Sequence, residues 1–498
     1  MMPVLRILTV IMAIAIVAGV LFPLCEPIAA DVPLTADVPV VAMNAIGEAR
    51  FSNSSQPVLI GVAGCSAASC HGGREVVGGE YTHWATRDAA HRQAYNVLLS
   101  VVSRTMAAKL GIAAAHKEAR CLACHSMDAG LMKTDPLNAT ATTHSPRFAI
   151  EFGVGCESCH GAAGQWLARH TERSWKTLSN HQKSEFGFRN LRSLDTRADT
   201  CIACHVGSPH ATVDHDLIAA GHPRLSFELS GYQALLPKHW NESTALQREP
   251  DQELKLWMLG QVKSAKVMAD IAVARAELAL SVKGEQAESH HVMPDLAEFD
   301  CHSCHHDLAE KSGRGRLTIS NPFGKKIGEP QWGSWSIASA TWFARESKPV
   351  LGLDQSAAEN SLIQWTQLMQ NSRLRVIPAN ELATVARRAS ANLAAWSRSL
   401  ESAHSDQVQA QLFLQRLLAT ESDAAFAMTW DGQAQRYLAI VAAHQSLRDL
   451  NGDASTAQLL PSQSLSQLQE LLKFPQGFAT PRDYHTEQVQ QLFRRLRR

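Results

Sequence analysis

A chain of 498 residues, 45% of them hydrophobic, is long enough for two or three domains and too apolar to be disordered. Lys plus Arg and Asp plus Glu both number 47, so there is no basic excess to suggest nucleic acid and no acidic tail. What is unusual is the content of 11 cysteines and 22 histidines, and their order along the chain carries the reading.

Met1 to Ala30 has one basic residue, Arg6, an apolar run from Ile7 to Leu24, and small residues at Ala29 and Ala30, the layout of an export signal peptide. An uncleaved anchor is the alternative, because the run reaches the length of about 18 residues that marks a membrane-span candidate. A lipoprotein reading at Cys25 fits less well, since bulky Leu24 precedes it. Cleavage after Ala30 would remove Cys25, the one cysteine outside the motifs described next. Residues 31–60, rich in Ala, Val and Pro without a period, read as a spacer.

Four C-x-x-C-H repeats follow, at Cys121/Cys124/His125, Cys156/Cys159/His160, Cys201/Cys204/His205 and Cys301/Cys304/His305. This pattern attaches haem covalently: each cysteine forms a thioether to a vinyl group and the adjoining histidine becomes the proximal iron ligand. Zinc would need four N or S ligands closed around each ion, usually from paired C-x-x-C units, and separate units that each end in Cys-His suit haem better. Earlier in the chain, Cys65 and Cys70 stand five positions apart before His71, with Ala67 where the usual first cysteine would be. It reads as a C-x-x-x-x-C-H site, with a single-thioether haem on Cys70 or a Cys65–Cys70 disulfide as alternatives. Five haem c groups are therefore expected, and their propionates, about ten carboxylates at neutral pH, call for Arg and Lys partners.

Tyr81 to Ser103 reads as a helix carrying His83 and His91 two turns apart, able to face one way. From here the order is specific: the first motif, the HWATRDAAHRQAY segment, CLACH, GVGCESCHG with His170 ten residues beyond His160, and CIACH. Over about Gly61 to His205 this resembles the cytochrome c-554 family, whose tetrahaem member passes on electrons from hydroxylamine oxidoreductase. The resemblance implies that His91 is the distal ligand of the His160 haem and His170 that of the His71 haem. It also implies that the second haem, on His125, lacks a protein distal ligand. His144 is then the residue that could close this site, while His116 lies just before Cys121 on the proximal side.

After the fourth motif, His210, His215 and His222 lie close together, and His215 and His222 are two helical turns apart, so both are candidate distal ligands. His239, His290 and His291 are less constrained, and His302 and His306 read as packing or propionate contacts. Apolar residues from Leu254 to Ala274 recur at helical spacing, which predicts a long helix over 251–284. The Gly- and Pro-bearing stretch 313–345 reads as a linker or crossing loop. Beyond it Leu382, Val385, Ala389, Leu393, Trp396 and Leu400, then Leu412 to Leu418, step by three or four and predict a helical bundle over 346–498. Its basic end, RRLRR, suits a helix C-terminus or an acidic redox partner.

The first four motif histidines are separated by 54, 35 and 45 residues, too close for separate domains. The expected architecture is mainly α: a pentahaem cytochrome c core of helices and long loops over 61–312, then the bundle. The expected function is an extracytoplasmic, periplasmic carrier that moves electrons along its haems, anchored to the membrane if the signal is uncleaved. The alternative is a multihaem reductase or oxidase acting on a small nitrogen or sulfur compound at one open iron. A third reading makes the bundle an assembly scaffold. Partners would be redox donor and acceptor proteins, a membrane-associated quinol-linked one among the candidates.

Overall fold

The computed structural model describes residues 58–75, 77–126, 143–144, 150–281, 291–301, 304–305, 331–372, 375–420, 429–451, 460–473 and 486–497. The expected signal peptide, the spacer up to residue 57, Cys25, His290, His302, His306, His485 and residues 313–330 lie outside the described residues.

The protein is mainly helical. The single helix expected over Tyr81–Ser103 is broken into α1 (Glu80–Arg87), α2 (Ala89–Arg92), a 3-10 turn (Asn96–Leu99) and α3 (Val101–Lys109). The break has a local cause. Asp88 leaves helical geometry (φ −94°, ψ 63°) and its carboxylate accepts the His91 amide, capping a new helix in place of continuing the old one. Ser100 likewise caps α3.

Two motifs form short helices, α4 (Ala119–His125) and α5 (Cys156–His160). Then come α6 (Asn180–Glu185), α7 (Leu194–His205), α8 (His215–Ala220), α9 (Leu229–Leu235) and α10 (Glu242–Arg248). From α6 to α10 each is capped by the side chain before it, Ser179, Ser193, Asp214, Glu228 and Asn241 in turn.

The expected long helix is α11 (Gln252–Ser281), and it does more than return the chain to the last motif. Leu254, Trp257, Val262, Ala265, Ala269 and Ala276 are all fully buried, and Lys255, Gln261 and Lys263 are buried with them, so the stretch 254–265 is enclosed on every face. It packs most extensively on α14 (Ala379–Glu401), within a bundle that also holds α12 (Ile337–Leu351), α13 (Ser356–Ser372), α15 (Gln407–Ala419), α16 (Trp430–Asn451), α17 (Ser462–Leu472) and α18 (Thr486–Leu496). Leu382, Ala389, Leu393, Trp396 and Leu400 form the buried stripe of α14, as their spacing predicts. One apolar core therefore runs through α7, α9, α11 and the bundle, across the expected boundary at 313, and α12 begins inside the expected linker. Among the described residues the strands are two-residue pairs: β1 (Val58–Leu59) parallel to β2 (Thr143–His144), and β3 (His291–Val292) antiparallel to β4 (Ile377–Pro378).

Ion pairs made by two cations, Lys263 and Arg224, join the motif region to this core. On α11, Lys263 Nζ lies 2.8 Å from both Asp195 and Asp199 of the motif helix α7. Arg224, just after His222, donates through both Nη atoms to Asp431 of α16, each at 2.9 Å, and Ser334 adds a hydroxyl bond to the same carboxylate. Asp431 is 1% exposed, so removing it strands a buried guanidinium. We expect Asp431→Ala to lower unfolding stability by about 3–5 kcal/mol in guanidinium titrations, and the double change with Arg224→Ala to lower it by less than the sum of the single changes.

Candidate haem-binding site

Each of the first four motif histidines meets a second histidine from a distant part of the chain. Ring centres are 6.2 Å apart for His71 and His170, 6.4 Å for His125 and His222, 6.5 Å for His160 and His239, and 6.2 Å for His91 and His205. Two imidazoles bound on opposite sides of one metal ion, through bonds of about 2 Å, have ring centres about 6 Å apart. All four pairs have that spacing. The ring planes of His71 and His170 are inclined by 16°, and those of the other pairs by 78° to 85°.

Three of these partnerships differ from the expectations. His91 faces His205, not His160, because Asp88 turns α2 away from the line of α1 and the Val154 amide ties the His91 carbonyl down at 2.9 Å. The place opposite His160 belongs to His239, a residue the sequence left unconstrained. Opposite His125 stands His222, and the backbone of His144 pairs in β2 with β1. His215 opens α8, where its amide donates to Asp295 at 3.1 Å. His83 is buried on α1, and its Nδ1 makes no hydrogen bond. Cys301, Cys304 and His305 close the described part of the fifth motif, which the Asp300 amide fastens to the Gln331 carbonyl at 2.8 Å.

The motif cysteines are placed by the same short helices. Cys121 and Cys124 lie on α4, Cys156 and Cys159 on α5, and Cys201 and Cys204 near the end of α7, each pair directly before its histidine. These six are half-buried, as is Cys65, whereas Cys70 and Cys304 are exposed. The repeat treats the two cysteines of a motif as equivalent, and on α4 they are not. Cys121 packs against the apolar cluster of Leu98, Ala107 and Ala115, while Cys124 stands outside that cluster. Three residues fall short of a full helical turn by about 60°, which is enough to give the two thiols different surroundings.

What ring spacing requires, hydrogen bonding supports. A carbonyl or carboxylate can only accept, so a histidine that bonds one through Nδ1 carries its proton there and presents a lone pair on Nε2. His71 donates to Glu80 at 2.9 Å, His91 to Asp88 at 2.8 Å, His125 to the Ala94 carbonyl at 2.8 Å and His222 to the Pro223 carbonyl at 2.8 Å. His170 bonds the Leu167 carbonyl in the same way. These are the outer partners that orient metal-bound imidazoles. Burial pushes His160 down to about 4, which keeps it neutral at pH 7. Burial also lowers His91, but the hydrogen bond and charge of Asp88 outweigh it and raise the ring above its ordinary value.

The GVGCESCHG stretch has a structural logic that motif spacing does not display. Glu157, between the two cysteines, is 4% exposed and accepts three amides: Ile60 at 3.0 Å, Gly61 at 2.7 Å and Ala163 at 2.6 Å. It thereby locks the third motif to the strand leading into the first. Gly153 (φ +61°) lets the chain pass the His91 carbonyl, which a Cβ there would meet at 2.7 Å. Gly161 (φ +86°) lies so close to Gly187 that an added Cβ would sit 2.0 Å from its carbonyl oxygen. The Cys65 and Cys156 thiols lie beside one another, so the attachment points of the first and third motifs adjoin.

Cationic groups complete the arrangement. Arg189 donates to the Ser158 carbonyl at 3.0 Å and lies near Cys159 and Cys204, and Arg197 donates to the Leu191 carbonyl at 3.0 Å beside Cys201. Burial lowers both guanidinium groups, whose hydrogen bonds go to neutral atoms. Glu253 is within charge reach of Arg197, and propionates would supply further counter-charge. The donor chemistry, the ring spacing and these cations all fit haem c.

Residues 64–161 match the profile of a family described as cytochrome c554 and c-prime. The match spans the first three motifs and supports a c-type cytochrome role in electron transfer. No curated protein and no solved structure matches the chain. Among the described residues, no helix is long and apolar enough to cross a membrane.

Two outcomes follow from this geometry. Glu157→Ala, which leaves three buried amides without an acceptor, should lower the stability of the holoprotein by about 3 kcal/mol or more, whereas Glu157→Gln retains part of it. In electron paramagnetic resonance, iron held between near-parallel imidazoles gives a rhombic low-spin signal, and between near-perpendicular ones a signal dominated by one large g value. The cause is near-degeneracy of the two iron orbitals that overlap the ring π systems. The His71 pair should give the former signal and the other three pairs the latter.

Proposed function

We propose that this chain is an exported multihaem c-type cytochrome that carries electrons along haems held by the motif cysteines and the paired histidines. The observation that supports this most directly is the closure of each described pair. With a histidine on both sides, an iron has no position left for substrate, which suits outer-sphere electron transfer rather than ligand chemistry. Haem iron supplies a one-electron couple; the rest is the work of the chain.

That work has three parts. Cys65 with Cys70, Cys121 with Cys124, Cys156 with Cys159, Cys201 with Cys204 and Cys301 with Cys304 hold the porphyrins by thioethers, and the proximal ligands His71, His125, His160, His205 and His305 follow directly. His170, His222, His239 and His91, each from a loop or short helix far away in sequence, would hold the iron together with the motif histidines. Acceptors at Nδ1 keep the rings oriented, and Arg189 and Arg197 balance propionate charge where the third and fourth sites meet.

Contacts between sites suggest their order. The first and third adjoin through Cys65 and Cys156, and the third and fourth share Arg189. His125 is within charge reach of Cys204, and Arg224, beside His222, is within charge reach of Cys301. We read the sequence of sites as first, third, fourth, second, fifth, with the terminal ones closest to donor and acceptor proteins. Export follows from the N-terminal sequence and from the extracytoplasmic chemistry of haem c attachment.

The test is carbon monoxide added to the reduced holoprotein. No binding at the four described pairs is expected, and His222→Ala should create one new high-spin haem that binds one equivalent. Binding of more than one equivalent by the unaltered protein would remove the carrier reading; a single equivalent would place an open iron at the His305 site and revive the reductase alternative.

A further inference from the structure

Away from the histidine pairs, a second group of metal-ligating side chains stands where the motif region meets the bundle. Glu249 and Asp251 precede α11, and His404 follows α14. Their ligand atoms all lie within 4.8 Å of one another, with His404 Nδ1 3.3 Å from Glu249 Oε2 and 3.8 Å from Asp251 Oδ1.

Proximity of acidic groups is common and would not carry an argument. Asp251 adds a second fact. It occupies the position before the first residue of α11, where an aspartate normally accepts an amide from its own first turn. Here the Leu254 amide donates instead to Ser446 Oγ of α16 at 2.9 Å, which relieves Asp251 of that task. Its Oδ2 accepts the Ser405 amide at 2.6 Å, and this turns the carboxylate toward the α14–α15 loop. Its Oδ1 makes no hydrogen bond although the residue is 1% exposed. A buried carboxylate oxygen with no donor is costly, and this one points at His404.

We infer that Glu249, Asp251 and His404 form a binding site for a divalent cation of the zinc class. One imidazole and two carboxylates suit zinc better than calcium or magnesium, which take oxygen ligands alone. Bonds of about 2.0–2.2 Å in tetrahedral geometry place ligand atoms about 3.3 Å apart, which the Glu249–His404 distance already meets. Three protein ligands leave the fourth position to water. His404 is 59% exposed, so the ion enters from solvent without opening the core. Lys255, whose Nζ is 3.4 Å from Glu249 Oε2, is the competing cation and would yield that oxygen to the metal. The ion would pin the α14–α15 loop to the start of α11, a structural role separate from electron transfer.

The experiment titrates chelator-stripped holoprotein with zinc chloride by calorimetry and follows thermal unfolding in parallel. The unaltered protein should bind one zinc that His404→Ala weakens at least about tenfold, and zinc should raise its unfolding midpoint but not that of the variant. His404 is a surface residue, so this variant folds even if Asp251→Asn does not. His181→Ala, altering an exposed histidine beside Glu185, serves as control and should titrate normally. The proposal is overturned if His404→Ala binds zinc as the unaltered protein does, if the unaltered protein takes up none, or if calcium stabilises it equally.

Discussion

An imidazole can offer Nε2 to a metal only when its other nitrogen holds the proton, and much of this molecule is arranged around that requirement. His71, His91, His125, His170 and His222 each give their Nδ1 proton to a fixed acceptor, Glu80, Asp88 or a backbone carbonyl. Two of those acceptors, Asp88 and the Ala94 carbonyl, lie where the expected helix breaks. Asp88 ends α1, caps α2 and orients His91 at once, so one side chain sets the backbone path, the tautomer and the partner of that ring.

Pairing rings across the chain also explains why two regions of one protein are built so differently. The apolar side chains of residues 58–190 gather into three small clusters, around Trp84, Leu98 and Trp166, none large enough to hold that length of chain by itself. The second half buries one continuous core around α11. Cohesion in the first half has to come from cross-links: the histidine pairs with their cofactors, and the Glu157 carboxylate that ties two motifs together. The bundle anchors the assembly through Lys263 with α7 and through Arg224 with Asp431, the latter buried where an ion pair is stronger than at the surface.

The haem-attachment motifs were legible in the chain alone, because each consists of cysteines and a histidine a few bonds apart, and that spacing is local. So were the mainly helical fold, the α14 stripe and the length of α11, each set by short-range periodicity. The unlike surroundings of Cys121 and Cys124 were not, since the cluster that receives only the first is assembled from α3 and the turns around it. Nor were the histidine partners. His239 carries no local mark, and only the path of the chain through Pro237 to Trp240 brings it to His160. His91 could be assigned to a haem by resemblance but not placed, because a single side-chain cap at Asp88 redirects it toward His205. A ligand on the far side of an iron is chosen by tertiary proximity, and sequence distance bears no relation to it. The same holds for α11, which reads as one ordinary long helix until the bundle closes around every side of its stretch 254–265.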